Sequence, residues 1–296
     1  MPGMSARLRE IARRTEKIVQ AGSYRAPDGR DVVIAPQVEA ALAGTRLYGP
    51  DPVPAPSRAP GAGRPPAVSI TVTVTGEASV QAARRLAAAA PDPVAVLNFA
   101  SARNPGGGYL NGAQAQEETL CRASALHATL LRAPEFYAHH RAHPDPFYSD
   151  RVIHSPGVPV FRDHRDELLA RPSSVGFLTS PAPNAGVIRR QTPERAALIP
   201  AALAARAARV LRTAAACGYR RLVLGAWGCG VFRNDPAQVA DAFRALLTGS
   251  GPFAGHFDET VFAVLDRTRD RSALAAFQTA FPAAATAPSA QAAVQP

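Results

Sequence analysis

VAVLNFASARNPGGGYLNGAQAQEETLCRASALHATLL, residues 94–131, is the stretch that decides the fold. Val94–Phe99 is an apolar run of strand length, as expected of a strand covered on both faces. A polar loop carrying Asn104 follows, and then three consecutive glycines, Gly106, Gly107 and Gly108. A long helix is expected over Gln114–Arg132, with Gln116, Glu117 and Glu118 in its first turns. Strand, loop and helix in this order form part of a crossover unit. Its loop opens at the carboxyl end of a sheet, where open α/β proteins bind their ligands.

The same rhythm extends in both directions. Val68–Thr75 (VSITVTVT) alternates like a strand and Ser79–Ala90 reads as a helix. Arg151–His154 and Val175–Ser180 read as short strands, and Pro193–Cys217 as one long helix. Arg221–Ala226 is a buried strand, Pro236–Leu247 a helix, and Glu259–Leu265 a last strand before the helix Ser272–Phe281. Towards the N-terminus, residues 5–20 form an amphipathic helix with Leu8, Ile11, Ile18 and Val19 near one face. A short strand at Asp31–Ile34 and a short helix at Pro36–Ala43 follow. Strands alternating with helices predict an α/β fold with a largely parallel, covered sheet. Gly49–Pro66, crowded with Pro, Gly and Ala, reads as a linker or long surface loop. The organisation expected is an N-terminal extension with a Pro-rich linker packed on the core (1–66), an α/β domain (67–282) and a disordered tail (283–296).

Composition narrows the classes. Of 296 residues 47% are hydrophobic, enough for one substantial core, yet no apolar run has the length of a membrane span. The N-terminus carries no secretory pattern. Cys121, Cys217 and Cys229 are odd in number and lack CxxC spacing, so neither a disulfide framework nor a zinc site is expected, and a cytoplasmic setting fits. The formal charge of +10 is almost wholly arginine, Lys17 being the one lysine. These arginines are interleaved with acids and lack the aromatic spacing of a nucleic-acid surface, so sequence-specific nucleic-acid binding is not expected. His139, His140 and His143 resemble metal spacing only loosely; a solvated segment and no bound metal are expected.

Two constellations carry chemistry. In the first, glycines allow close approach of backbone to ligand, and the adjoining helix start offers N–H groups to anions. Glu117 and Glu118 then suit a phosphate-bearing sugar whose glycosidic bond needs acid assistance. A glycine loop alone is merely flexible, and a Glu pair at a helix start merely complements the macrodipole; it is their conjunction that argues. The second is LVLGAWGCGVFRN, Leu222–Asn234, where Gly225, Gly228 and Gly230 again lie between a strand and a helix. Such a loop can cradle a pyrophosphate through backbone N–H groups, with Phe232 packing on a sugar or base, or serving simply as core. Gly230 is the position where an added Cβ should be felt, by ligand or by backbone. Cys229 has no histidine near it in sequence and is not assigned as a nucleophile.

The run Gly106–Gly108, seven residues, then Gln116-Glu117-Glu118 resembles the signature of poly(ADP-ribose) glycohydrolases. VLNFAS before the glycines, VIHSPGVPVFRD at 152–163 and GAWGCGVF at 225–232 resemble the compact microbial branch of that family. The resemblance covers at least residues 67–281, and the N-terminal helix and strand fit the extension of bacterial members. It implies a macrodomain-like three-layer α/β/α fold with a mixed, mostly parallel sheet and a small N-terminal helical extension. It implies Glu118 as catalytic acid and Glu117 as holder of the ribose hydroxyls. Phe99, Asn104, Gly106, Gly107, Gly108, Gln116, Gly228, Cys229, Gly230, Val231 and Phe232 would contact ADP-ribose, with no cofactor. The substrate implied is poly(ADP-ribose) or poly(ADP-ribosyl)ated protein, the product ADP-ribose, and the enzyme a monomer reversing ADP-ribosylation, as in the response to DNA damage. Adjacent helical residues point about 100° apart, so the two glutamates should divide roles, and a carboxyl enclosed beside a diphosphate should have a raised pKa. The alternatives are a non-catalytic ADP-ribose-binding macrodomain, a mono-ADP-ribosyl hydrolase, and a nucleic-acid-binding protein drawn by net charge.

Overall fold

Alternation along Val94–Phe99 (β5 below) sets the layers. Val94 and Val96 are buried in one apolar cluster, Ala95 and Leu97 in another, as period-two side chains of a doubly covered strand must be. The computed structural model describes residues 3–53 and 71–282, and the expected tail and most of the expected linker lie outside them.

Helix α1 (Met4–Ala21) buries Leu8, Ala12 and Thr15 and ends at Gly22, whose φ of 66° provides the left-handed stop. The hairpin β1 (Ser23–Arg25) and β2 (Asp31–Val33) follows, then α2 (Ala35–Gly44) and β3 (Arg46–Tyr48), which the sequence reading did not anticipate. From there run β4 (Thr71–Thr75), α3 (Ser79–Ala89) and β5 (Val94–Phe99). The helix expected over 114–132 is two helices, α4 (Gln116–Ala123) and α5 (Leu126–Leu130). Ser124 breaks it: its hydroxyl donates back to the Leu120 carbonyl (2.7 Å) and accepts from the Leu126 N–H (3.2 Å), and its backbone bridges to Val160.

The histidine-rich segment is not solvated coil. It is helix α6 (Pro134–Ala142), started by proline in its first turn, with His140 buried between the Phe136 carbonyl and the Ser149 hydroxyl, 2.8 Å from each. The two short strands expected next are parts of a long hairpin, β6 (Val152–Arg162) and β7 (Leu168–Ser180). Prolines 156, 159 and 172 each withdraw a backbone donor from the pairing. The hairpin absorbs the first two at and beside a register shift between Ser155 and Val158, where Gly157 takes φ 57°. Then come α7 (Ala185–Gln191), also unanticipated, a 3-10 turn over Pro193–Leu198, and α8 (Ile199–Ala216). β8 (Arg221–Leu224), α9 (Pro236–Leu247), β9 (Glu259–Ala263) and α10 (Ser272–Ala280) complete the chain.

Seven strands form one sheet in the order β3-β6-β7-β5-β8-β9-β4. β7, β5, β8, β9 and β4 run parallel, while at one edge β6 pairs antiparallel with β7 and β3 antiparallel with β6. Helices cover both faces, giving the three-layer α/β/α arrangement with a mixed, mostly parallel sheet. From β5 the chain leaves to β7 on one side, then returns across β5 to β8 on the other. The crevice this opens at the carboxyl ends of β5, β7 and β8 is where such sheets place a ligand.

Candidate active site

Asn98 is the polar residue in the otherwise apolar β5, and it begins the site. It is fully buried, and its amide donates to Glu117 Oε1 (3.1 Å) and to Thr179 Oγ1 on β7 (3.1 Å). The other oxygen of Glu117 accepts the Ser101 N–H at 2.7 Å. Gln116 clamps the helix start to the strand end. Its carbonyl oxygen accepts the Phe99 N–H (2.9 Å), and its amide donates to the Leu97 carbonyl (2.8 Å) and the Ser79 hydroxyl (3.1 Å). With its carboxamide engaged in this way, Gln116 positions the two glutamates that follow it.

The glycine loop closes over them. Gly106 and Gly107 sit at φ 68° and 57°, which a side chain would resist. The Gly108 N–H donates to Glu118 Oε1 at 2.9 Å. A Cβ on Gly107 would stand 2.6 Å from Glu118 Oε1 and 3.2 Å from Glu117 Oε2, so both carboxylates converge on that backbone. The two are not equivalent. Both oxygens of Glu117 are engaged by protein donors, whereas Glu118 Oε2 is buried without a hydrogen-bond partner among the described residues. A buried carboxylate oxygen left without a partner calls for an explanation, and in the same site Asn98 Oδ1 is unpartnered too. Burial raises the Glu117 carboxyl to about 8, against the pull of the Ser101 and Asn98 donors, with a smaller push from the charge of Glu118. Among the described residues no group of three or more His, Cys, Asp or Glu could hold a metal ion, and no helix is long and apolar enough to cross a membrane.

The family model for the microbial-type PARG catalytic domain, PARG being poly(ADP-ribose) glycohydrolase, matches residues 12–163, from α1 through the glycine loop and both glutamates to the end of β6. The chain belongs to this family. The poly(ADP-ribose) glycohydrolase of Thermomonospora curvata is similar to it at 51% identity and a TM-score of 0.87, covering 93% of this chain and 100% of that one. The same bacterial protein bound to the inhibitor ADP-HPD matches at 51% identity and a TM-score of 0.85, over 93% and 100% of the two chains. The glycohydrolase of Deinococcus radiodurans in complex with ADP-ribose is 43% identical with a TM-score of 0.75, over 85% of this chain and 99% of that one. Among curated proteins none matches.

In this glycohydrolase fold the second glycine loop follows β8, the strand paired with β5. Phe99, half-buried at the end of β5, reaches under it: its Cζ is 3.1 Å from where a Cβ on Gly225 would stand. Trp227 is buried and donates to the Ser180 carbonyl at the end of β7 (3.0 Å). Asn234 ties the loop shut, donating to the Pro183 (2.8 Å) and Gly228 (3.1 Å) carbonyls. Gly228 must be glycine, with φ 71° and a would-be Cβ 2.5 Å from Ala182 Cβ, and Gly225 has no room for a side chain either, its would-be Cβ standing 2.5 Å from the Ala263 carbonyl oxygen. Gly230 does not carry that backbone requirement: its φ lies outside the left-handed region and an added Cβ meets nothing within 4 Å. Val231 is exposed at the tip, and Phe232 is half-buried with its ring 5.8 Å from that of Tyr148. The Cys229 thiol is pushed up to about 12 by burial and by Asp235, which leaves no thiolate at neutral pH. The Asn104 side chain is exposed, while its backbone carbonyl accepts the Gly107 N–H (3.0 Å) and shapes the first loop.

Sequence reasoning missed Asn98 and Asn234, although a lone polar residue inside VAVLNF was a visible signal. It also missed Glu16. That residue lies far from the motif in sequence and reaches the back of the glycine loop only through folding.

Proposed function

We propose that this chain hydrolyses the ribose–ribose O-glycosidic bonds of poly(ADP-ribose), releasing ADP-ribose. The observation that carries this reading is the unpartnered Glu118 Oε2, held at the mouth of the Gly106–Gly108 loop by the bond from Gly108 to its other oxygen. A carboxyl with one oxygen anchored and one free can protonate the leaving ribose oxygen and then, as a carboxylate, activate water. Glycosidases commonly set two carboxylates across the bond. Here the second, Glu117, is locked by Asn98 and Ser101, so its part is to orient a ribose hydroxyl, while the substrate diphosphate steadies the oxocarbenium-like centre. Gly228–Phe232 supplies backbone N–H groups to that diphosphate, with Phe99 on the adenosine side and Asn104 near the distal ribose. We further infer a monomer acting in the cytoplasm on polymer such as that made after DNA damage.

The experiment is turnover of polymer by wild type and Glu118→Gln, with mono-ADP-ribosylated protein as the competing substrate. Wild type should release ADP-ribose from polymer, and the variant should be slower by about 10²–10⁴-fold while still binding ADP-ribose. A variant near wild-type turnover removes Glu118 from the chemistry. Binding of ADP-ribose with no turnover by wild type would make the chain a reader instead.

A further inference from the structure

Behind the glycine loop lies a second carboxylate arrangement that the mechanism above does not use. Glu16, half-buried on α1, accepts the Tyr109 hydroxyl at 3.0 Å and faces His127 Nδ1 at 3.1 Å, both on its Oε1. Tyr109 directly follows Gly108, is fully buried, and its N–H donates to the Gly106 carbonyl at 3.0 Å. The rings of Tyr109 and His127 are 5.1 Å apart, and His127 Cδ2 stands 3.1 Å from where a Cβ on Gly106 would be. Burial works against the Glu16 charge, but the His127 hydrogen bond and charge and the Tyr109 hydroxyl outweigh it and hold the carboxyl below its ordinary range. One carboxylate oxygen on the N-terminal helix thus grips both residues that back the glycine turn. The far side of that turn is the Gly108 N–H on Glu118.

Building on the reading of Glu118 as the acid, we propose that Glu16 is a positioning residue for the hydrolysis. Through Tyr109 and His127 it holds the Gly106–Gly108 turn, and through the Gly108 N–H it holds Glu118 in place. This makes α1 part of the catalytic apparatus. The helix itself does not depend on Glu16. Leu8 and Ala12 are buried in the core, and Thr15 donates to the Arg122 carbonyl (2.8 Å) and accepts from Arg162 Nε (3.2 Å). Removing the carboxylate therefore leaves the helix docked and the Tyr109 hydroxyl on the Ala12 carbonyl alone (3.1 Å), and releases His127 from α1, so the turn is held less firmly.

The test is steady-state cleavage of poly(ADP-ribose) by full-length wild type, Glu16→Ala, Glu16→Gln and Tyr109→Phe, with melting temperatures alongside. Glu16→Ala should lower kcat by about 10- to 100-fold, the effect of small misplacements near the chemistry. KM should move by less than about threefold, as for an interaction that matters in the transition state. Glu16→Gln keeps an oxygen that can accept from both partners and should recover most of the loss. Tyr109→Phe, which deletes one hydroxyl, should fall between them, and it decides the matter if Glu16→Ala does not fold. A Glu16→Ala enzyme with wild-type kcat and only a lower melting temperature overturns the proposal, as does a Gln variant no better than Ala. Inactive wild type overturns both this inference and the functional reading beneath it, whereas an active wild type with an unaffected Glu16→Ala overturns this inference alone.

Discussion

Replacing Gly107 by alanine puts a methyl group at the point where the two carboxylates meet. The backbone there has φ 57°, which for a residue with a Cβ costs about 1–2 kcal/mol. The new carbon would stand 2.6 Å from Glu118 Oε1 and 3.2 Å from Glu117 Oε2, closer than such atoms pack. Glu118 can yield only by leaving the Gly108 N–H, a hydrogen bond worth about 1 kcal/mol net. The folding cost is therefore about 2–3 kcal/mol, or a fall of roughly 4–12 °C in melting temperature for a domain of this size. Catalysis should suffer more. Moving the acid by the better part of an ångström costs on the order of 10²-fold in rate. Gly230→Ala is the matched control for stability alone, because its Cβ meets nothing in the protein and its φ lies outside the left-handed region; its melting temperature should equal that of wild type. Polymer hydrolysis under single-turnover conditions, with thermal denaturation of both variants, measures the two effects separately. Gly107→Ala turning over within a few-fold of wild type would refute the convergence of the glutamates on this loop.

Three further outcomes are expected. The folded protein holds the Glu117 proton up to about pH 8, against an ordinary value of 4.5, so the unfolded chain binds fewer protons than the native state between those values and stability falls as pH rises through that window. Glu117→Gln, which keeps the neutral form, should melt with a weaker pH dependence there; parallel melting curves would show that the carboxyl is not held neutral, and hydrolysis by this variant should be severely impaired. Gly230→Val should weaken ADP-ribose binding in calorimetry without loss of stability, and Phe232→Ala should lower turnover more than affinity; unchanged affinity in the first would remove this loop from the diphosphate. Because the proposed chemistry uses carboxyl groups alone, hydrolysis should survive prolonged EDTA treatment, and loss restored by one divalent ion would contradict the mechanism.

Local pattern was enough to read a largely parallel, covered sheet and where its central strands lie in the chain, though the order in which they pair came only with the fold. A strand covered on both faces announces itself by continuous apolar sequence, and β5, β8 and β9 lie within two residues of where that signal puts them. GGG followed by QEE was legible for a similar reason: a left-handed turn needs glycine and a helix start tolerates acids, so both leave marks in the residues themselves. The β6–β7 hairpin was legible only at its ends, because Pro156 and Pro159 read locally as breaks and only the register shift at Gly157 accommodates them. The division of the long helix at Ser124 was likewise hidden, since it depends on a bridge to Val160 on another strand. For the site, sequence alone singled out two neighbouring glutamates that must differ. Which of them has a free oxygen was decided by residues from elsewhere: Asn98 and Ser101 occupy Glu117, and Gly108 occupies one side of Glu118. The reach of Glu16 to Tyr109 spans 93 residues of sequence, and no local pattern encodes it. Propensity and periodicity act over a few residues, whereas hydrogen-bond partners and burial are set by whatever the sheet order brings alongside.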